Sequence, residues 1–235
     1  MFVTATGTGI GKTYVAAHLI RYLRRLGRPV RAFKPVVTGC TTQTLAASDS
    51  ALLLAALDEP LSDERLDAIS PWRYRAALGP IAAAALEGRS IDFNAIAAFI
   101  GDAFRAAPAE WTVVEGLGGI MVPFDEEHTL LDLLMQASVP AVVVCGTYLG
   151  ALSHALTALD VLRARSITIA TVVLNESGAG SVSLDDTAAA LAPFVQRAES
   201  RLISLRRDPS PDELDAMCEA VLLGLSAQPR CGHGR

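Results

Sequence analysis

Short apolar runs alternate along the chain with longer segments whose apolar residues recur at helical spacing. Residues 2–4 form the first apolar run, and residues 14–26 form the first segment with a helical repeat. The continuous apolar run at residues 139–146 is typical of a strand covered on both faces of a parallel sheet. The alternation predicts one α/β domain over residues 1–225, with a single doubly wound, mostly parallel sheet and helices on both faces. Residues 226–235 lack periodicity and are expected to form a disordered tail.

The remaining elements follow from the same pattern. Further strands are predicted at residues 28–37, 111–115, 168–174 and 202–205. Further helices are predicted at residues 45–57, 80–86, 92–106, 128–137, 149–164, 184–197 and 211–225. Residues 58–79 are predicted to be irregular, and residues 177–183 to form a Gly/Ser loop.

A glycine-rich turn, ATGTGIGKT at residues 5–13, joins the first strand to the first helix. Such a turn points backbone N–H groups and a helix N-terminus at a phosphate, which predicts the P-loop NTPase type of fold. Lys12 is expected to reach the β- and γ-phosphates, and the Thr13 hydroxyl to bind Mg²⁺. The loop is a variant, because Thr6 stands where the strict pattern has glycine. The alternative is a turn that merely starts a helix, and the strand–turn–helix context favours the phosphate site.

Polar side chains follow the predicted strands, where a parallel sheet binds its ligands. Glu115 ends an apolar strand and is a candidate Mg²⁺ ligand, with a solvated strand-end carboxylate as the alternative. Asp49 is a weaker candidate, since the pair Ser48–Asp49 could instead cap a helix. Lys34 could offset charge on a phosphate or an anionic intermediate, or could simply be solvated. The chain has two lysines against eighteen arginines, which favours a specific role for each lysine.

Composition excludes several classes of function. The net charge of −5, without a basic block, argues against a nucleic-acid partner. The four cysteines are far apart, so neither a zinc site nor a disulfide framework is indicated. No apolar run reaches membrane-spanning length, and we expect no leader before the first strand. We therefore expect a cytoplasmic protein with no membrane partner.

Several motifs together resemble those of dethiobiotin synthetase, over about residues 2–176. The family closes the ureido ring of dethiobiotin from 7,8-diaminopelargonate, CO₂ (or bicarbonate) and ATP. The motifs are, in chain order, TGTGIGKT at 6–13, FKPVVTG at 33–39, SD at 48–49, VEGLGG at 114–119, LGALSHALT at 149–157 and VLN at 173–175.

The resemblance implies a role for each matching residue. The catalytic residues would be Lys34 and Lys12. The nucleotide would be bound by Gly9, Ile10, Gly11, Lys12, Thr13, Tyr14, Asp49, Glu115, Gly116, Leu117, Gly118 and Asn175, the last of which would read the adenine edge. The diamine or its carbamate would contact Thr8, Lys34, Thr38, Gly118 and Gly150. Mg²⁺ would be held by Thr13, Asp49 and Glu115.

The resemblance also implies a homodimer. The small residues Gly150, Ala151 and Ala155 would let a partner chain approach the helix at residues 149–164, and the loop at residues 177–183 could reach across. The alternative is that this helix packs only on its own sheet.

Three departures from the family pattern concern its substrate and base sites. Ile81 stands where the family has a histidine, Ser153 replaces the more usual asparagine, and LRRDP at residues 205–209 replaces an Ile-Pro turn near the base.

Three other functions remain open at this point. A switch ATPase of the partition or septum-site type would need a signature lysine at the position of Gly7. An ATP-dependent amidation domain would carry a C-terminal glutaminase, for which the residues after Asn175 are too few. A paralogue could keep the fold and have lost the diamine, as the changes at Ile81 and Ser153 would allow.

Overall fold

The computed structural model describes residues 1–107, 110–178 and 182–226. All of the predicted tail except Ser226 lies outside these residues, as does the centre of the predicted loop at residues 177–183.

The described strands form one large sheet and one small one. In chain order they are β1 (Phe2–Ala5), β2 (Val30–Phe33), β3 (Val36–Val37), β4 (Trp72–Arg73), β5 (Trp111–Glu115), β6 (Ala141–Cys145), β7 (Ile169–Asn175) and β8 (Arg201–Leu205). The large sheet has six strands in the order β2-β5-β1-β6-β7-β8, and every pair in it is parallel. β3 and β4 pair separately.

The helices cover both faces of the large sheet. They are α1 (Lys12–Arg25), α2 (Asp49–Leu57), α3 (Asp63–Ile69), α4 (Pro80–Ala85), α5 (Phe93–Arg105), α6 (Leu130–Ala137), α7 (Ala151–Ala164), α8 (Leu184–Arg197) and α9 (Pro211–Ser226), and a 3₁₀ turn spans Leu45–Ala47. None of the helices in this part of the chain is long and apolar enough to cross a membrane.

Alternate residues of the central strands enter two separate cores. In β1, Phe2 packs with α5, α6 and α7, whereas Val3 packs with α1, α2 and α9. In β5, Val114 enters the same core as Phe2, and Val113 enters the same core as Val3. This alternation is the period of a strand, and it buries both faces of the sheet. The prediction of a doubly wound, mostly parallel sheet is therefore confirmed.

The predicted strand at residues 28–37 is wrong as one element, because the chain leaves the large sheet after Phe33. The Lys34 N–H donates to the Ile69 carbonyl at 2.9 Å instead of extending the strand ladder. Pro35 has no N–H to donate, so the ladder cannot resume there. Val36 and Val37 then pair with β4, which makes a small sheet that the sequence did not predict.

The predicted irregular segment at residues 58–79 is also wrong, because it contains α3. The Ser62 hydroxyl caps this helix by accepting from the Arg65 N–H at 3.3 Å, and Asp63 and Glu64 lie in the first turn. The predicted helix at residues 45–57 is divided for a related reason. Ser48 is extended and separates the 3₁₀ turn from α2.

Candidate active site

The loop between β1 and α1 is tightly bent and lies against the end of β7. Gly11 caps α1 in a left-handed conformation, with φ of 103°. A Cβ at Gly11 would lie 2.4 Å from the Asn175 Nδ2 atom, so only glycine fits there. The same Nδ2 donates to the Ile10 carbonyl at 2.9 Å. Asn175 therefore holds the loop on which a phosphate group would bind.

The Lys12 ammonium bridges this loop and the turn that follows β5. Its Nζ donates to the Gly7 carbonyl at 2.9 Å and to the Gly118 carbonyl at 2.8 Å. Gly118 has a φ of 63°, and a Cβ there would lie 2.5 Å from Val122. Burial, and then the positive charge of Lys34, lowers the pKa of Lys12 to about 8. Lys12 is thus a buried cation held by neutral carbonyls, suited to receive an anion.

Three oxygen-bearing side chains meet directly beside Lys12. The Thr13 hydroxyl lies 2.7 Å from the Asp49 Oδ1 atom and 2.8 Å from the Glu115 Oε1 atom. One hydroxyl has a single proton to donate, so it cannot satisfy both carboxylates at once. A group of oxygens in excess of the available protons is an arrangement that a cation stabilises.

In this structure the Lys34 ammonium supplies that positive charge. Its Nζ lies 2.6 Å from the Glu115 Oε1 atom, 3.0 Å from the Asp49 Oδ2 atom and 2.8 Å from the Gly116 carbonyl oxygen. The side chain is 1% exposed. An ammonium has three protons, and these three acceptors use all of them. Lys34 is therefore fully engaged with the residues around it.

The electrostatics of the three charged groups are coupled. Burial works to lower the pKa of Lys34, but the charges of Glu115 and Asp49 outweigh it and raise that pKa above its usual value. For Asp49, burial opposes ionisation, yet the Lys34 charge holds its pKa below the usual range. For Glu115, burial raises the pKa, and Lys34 offsets only part of the increase. Glu115 is more deeply buried than Asp49, so a further cation would stabilise the ionised form of Glu115 more strongly.

The donor set fits Mg²⁺. The Glu115 Oε2 atom is buried and has no hydrogen-bond partner among the described residues. Thr13, Asp49 and Glu115 could bind a metal only through oxygen atoms. Mg²⁺ takes one or two carboxylates together with phosphate oxygens and water. The described residues hold no cluster of three or more His, Cys, Asp and Glu side chains that could bind a metal unaided. The site therefore suits a metal ion that arrives with a phosphate.

The capping of α2 explains why Asp49 is free to join this group. The Ser48 hydroxyl accepts from the Ala51 N–H at 3.3 Å and caps the helix. Asp49 is the first helical residue and turns its carboxylate towards Thr13 and Lys34. In the pair Ser48–Asp49 the serine therefore supplies the helix cap, and the Asp49 carboxylate contacts Thr13 and Lys34 instead.

The end of α3 supports both Lys34 and Asp49, and the sequence did not predict this role. The Ile69 carbonyl accepts the Lys34 backbone N–H. The buried hydroxyls of Ser50 and Ser70 lie 2.7 Å apart and join α2 to the residue that follows α3. Ser62, with its two acidic neighbours, is the sequence signal that could have revealed this helix.

The structure thus brings four of the predicted residues into one network, the lysine–carboxylate cluster. Its members are Thr13, Lys34, Asp49 and Glu115. Lys12 lies beside this cluster and is held by the Gly7 and Gly118 carbonyls.

The predicted substrate residues lie around this cluster rather than in it. Thr8 is exposed, and its Oγ1 would lie 3.5 Å from a Cβ at Gly118. Thr38 follows β3 and is half-buried, Leu117 is half-buried, and Gly150 is exposed where it caps α7. The structure gives none of these four a hydrogen bond to the cluster within its described ranges, so their roles remain predictions.

The carboxyl ends of β6, β7 and β8 are tied to one another by hydrogen bonds. The Thr147 N–H donates to the Ser177 hydroxyl, and the Ser177 N–H donates to the Thr147 hydroxyl, both at 2.9 Å. The Arg207 N–H donates to the Glu176 Oε2 atom at 2.9 Å. These contacts fix the edge of the sheet on the far side of β1 from Lys34.

The relatives of this chain are named for an ATP-dependent reaction, which is consistent with a phosphate-binding site. A family model described as an AAA domain matches residues 1–203. An ATP-dependent dethiobiotin synthetase of Methylobacterium nodulans is 44% identical over 196 residues, which cover 82% of this chain and 87% of that protein. One of Caulobacter sp. (strain K31) is 45% identical over 200 residues, which cover 84% of each chain.

Solved structures of low sequence identity share the fold. The MinC:MinD cell division protein complex of Aquifex aeolicus is 12% identical, with a TM-score of 0.54, and the match covers 96% of this chain and 93% of that one. The signal recognition particle receptor FtsY of Elizabethkingia anophelis is 12% identical with a TM-score of 0.50, over 94% of this chain and 64% of that one. The fold is that of the P-loop NTPases, and by its curated relatives the chain belongs to the ATP-dependent dethiobiotin synthetase family.

Proposed function

We propose that this chain uses ATP to close the ureido ring of dethiobiotin from 7,8-diaminopelargonate and CO₂. One observation carries the proposal: Lys12, on the phosphate loop, and Lys34, paired with Glu115, converge at the carboxyl edge of the sheet. Relatives that are 41–45% identical bear the name of this activity. The reaction is a step of biotin biosynthesis.

The chemistry needs cations and oriented N–H groups rather than a covalent nucleophile. One substrate amine attacks CO₂ to give a carbamate, and a carbamate oxygen then attacks the γ-phosphoryl group, which releases ADP. The second amine attacks the carbon of the resulting mixed anhydride and expels phosphate, which closes the ring. Negative charge develops on oxygen at every step, so preorganised positive groups lower the barrier.

Lys12 and Lys34 divide this work. Lys12 exchanges the carbonyls of Gly7 and Gly118 for the β- and γ-phosphate oxygens of ATP. Lys34, which lies beside Glu115 and Asp49, would direct its ammonium to the carbamate and the γ-phosphate.

The magnesium ligands are proposed to be Thr13, Asp49 and Glu115. Mg²⁺, when bound, neutralises phosphate charge. The Glu115 Oε2 atom, which is buried and has no hydrogen-bond partner in the described part of the chain, supports this assignment.

A switch ATPase is the competing function, and one measurement separates the two. We expect phosphate release from Mg-ATP to require both 7,8-diaminopelargonate and bicarbonate, because the phosphoryl acceptor is the carbamate. Hydrolysis at an unchanged rate without the diamine would contradict the proposal. Gly7 stands where a switch ATPase has its signature lysine, which favours the synthetase.

We propose further that the working unit is a homodimer formed by the start of α7, which would bring Gly150 to the diamine site. Leu149, an apolar side chain, is 91% exposed there, and Ser153 and His154 are also exposed. Covering such a patch with a second copy removes apolar surface from water on both chains.

The oligomeric state tests this proposal. His154→Glu should yield a monomer that still binds ATP and turns over the diamine poorly, as measured by sedimentation and product formation. Ala151 is unsuitable for this purpose, since it is only 3% exposed and belongs to the core of its own chain. A monomeric parent protein with full activity would contradict the dimer.

A further inference from the structure

The sheet order fixes the direction in which a bound nucleotide must run. The phosphate loop follows β1, and Lys34 and Glu115 follow β2 and β5 on one side of it. On the proposed function, the γ-phosphate meets Lys34 on that side. The nucleoside must then extend to the other side of β1, towards the ends of β7 and β8.

Two groups at those strand ends could contact the nucleotide base. The Asn175 amide uses one N–H on the Ile10 carbonyl, and an amide has a second N–H and a carbonyl oxygen to offer. Residues 206–209 follow β8 and are held to Glu176 through the Arg207 N–H. Neither Asn175 nor residues 206–209 include an aromatic ring on which a base could stack.

Tyr14 supplies such a face at the third side of this space. It lies in the first turn of α1 and is 38% exposed, and its ring centroid is 4.4 Å from that of His18. The pKa of Tyr14 is raised by partial burial and then by the negative charge of Asp208, which places the ring within electrostatic range of the loop after β8.

Contacts farther along α1 show which face of this helix carries Tyr14. One helical turn after His18, the Tyr22 hydroxyl donates to the Glu219 Oε1 atom of α9 at 3.0 Å. The next turn brings Arg25 into an ion pair with Asp215 of α9. Since residues three and four apart share a helix face, Tyr14 lies on the face of α1 that is turned to α9 and the loop before it.

We propose that the side chain of Tyr14 is the stacking platform for the nucleotide base. The phosphate loop positions the triphosphate, Asn175 meets the edge of the base, and the Tyr14 ring covers one of its faces. Stacking on an aromatic ring accepts every base, so base selectivity falls to Asn175 and the loop after β8.

Separate titrations of the whole nucleotide and of its phosphate half test this assignment. Tyr14→Ala, Tyr14→Phe and the parent protein are titrated by calorimetry with Mg-ATP, and again with inorganic tripolyphosphate and Mg²⁺, in the absence of diamine. Tyr14→Ala should bind ATP about 5- to 150-fold more weakly, the range that base–aromatic stacking corresponds to, while Tyr14→Phe stays close to the parent. Tripolyphosphate should bind all three proteins alike.

Phe194→Ala is the matched control. Phe194 is also 38% exposed, but it lies near the end of α8, which runs back from the carboxyl edge of the sheet. This variant should bind ATP as the parent does.

Two outcomes would overturn the assignment: ATP affinity unchanged in Tyr14→Ala, or an equal loss of affinity for ATP and tripolyphosphate. Neither depends on turnover. A parent protein that binds ATP but forms no dethiobiotin would refute the proposed function and leave this test intact.

Discussion

The two sides of the phosphate loop are built on different principles. On one side is the lysine–carboxylate cluster, in which Lys34 and Glu115 are 1% exposed and the Lys34 ammonium contacts Glu115 at 2.6 Å and Asp49 at 3.0 Å. On the other side is the base-side rim, by which we mean Tyr14, Asn175 and residues 206–209, whose side chains are half-buried or exposed.

We interpret the buried cluster as the region that carries out the reaction, and the rim as the region that recognises the nucleotide. Buried charges are tolerable only when each is paired, so a change in the cluster disturbs every other member. The rim relies on stacking and on single hydrogen bonds, whose loss leaves groups that water can reach. Substitutions in the cluster should therefore reduce kcat, and substitutions in the rim should reduce affinity for ATP.

The largest effect is expected at the two lysines. Lys34→Ala and Lys12→Ala should each reduce kcat by about 100-fold or more, the usual size for loss of one preorganised positive group. Only Lys12→Ala should also weaken ATP binding clearly, because Lys12 is the residue proposed to contact the phosphates in the ground state. Steady-state turnover and ATP titration on both variants measure the split. An equal loss of ATP affinity in the two variants would refute the division of roles.

The next effect concerns the metal. Glu115→Gln should raise the Mg²⁺ concentration needed for half-maximal turnover by about 10-fold or more, because a carboxylate ligand becomes a neutral amide. Asp49→Asn should act in the same direction, since its carboxylate lies beside Thr13. Magnesium titrations of turnover at saturating ATP measure both effects.

Ser48→Ala is the control for Asp49→Asn. Loss of the cap should reduce the free energy of unfolding by about 1 kcal/mol and leave the Mg²⁺ requirement unchanged. If Asp49→Asn behaved like Ser48→Ala, Asp49 would not be a metal ligand.

A smaller effect is expected on the rim. Asn175→Ala should raise KM for ATP by about 10-fold and leave kcat within about 2-fold, because it removes the contact with Ile10 and the group that meets the base. Asn94→Ala, at an exposed position of α5, should change neither constant. A fall in kcat as large as that of Lys34→Ala would remove the distinction between cluster and rim.

The smallest effect tests the support behind the cluster. Ser50→Ala or Ser70→Ala leaves one buried hydroxyl without its partner, and each should reduce the free energy of unfolding by about 1–3 kcal/mol. The double variant should lose no more than the larger single one, since no unpaired hydroxyl remains. Urea unfolding of the four proteins measures this, and additive losses would contradict the proposed contact.

The sequence predicted the sheet and the phosphate loop because each depends on local signals. Apolar runs of strand length, glycines before Lys12 and polar residues at strand ends need no tertiary information. These signals also placed Lys34 and Glu115 at one edge of the sheet, where the structure finds them together. For Asp49 they left a helix cap and a metal ligand as alternatives, and only the family resemblance implied its place in the site. Their catalytic and metal-binding roles remain predictions.

The sequence did not predict the support behind those residues. α3 has seven residues, too few for a helical repeat to be visible, and it lies between Pro60 and Pro71. The break after Phe33 depends on the Ile69 carbonyl, a contact between segments 35 residues apart in the chain (69 − 34). Such contacts follow from packing and leave no periodic trace in the sequence.

The central claim is that this site joins CO₂ to both amines of the diamine at the expense of ATP. The protein is incubated with 7,8-diaminopelargonate, ¹³C-bicarbonate and Mg-ATP, and the products are analysed by mass spectrometry with Lys34→Ala as a parallel sample. We expect dethiobiotin labelled at the ureido carbon, with one ADP formed per molecule, and almost none from Lys34→Ala. A parent protein that binds ATP yet forms no labelled dethiobiotin would contradict it.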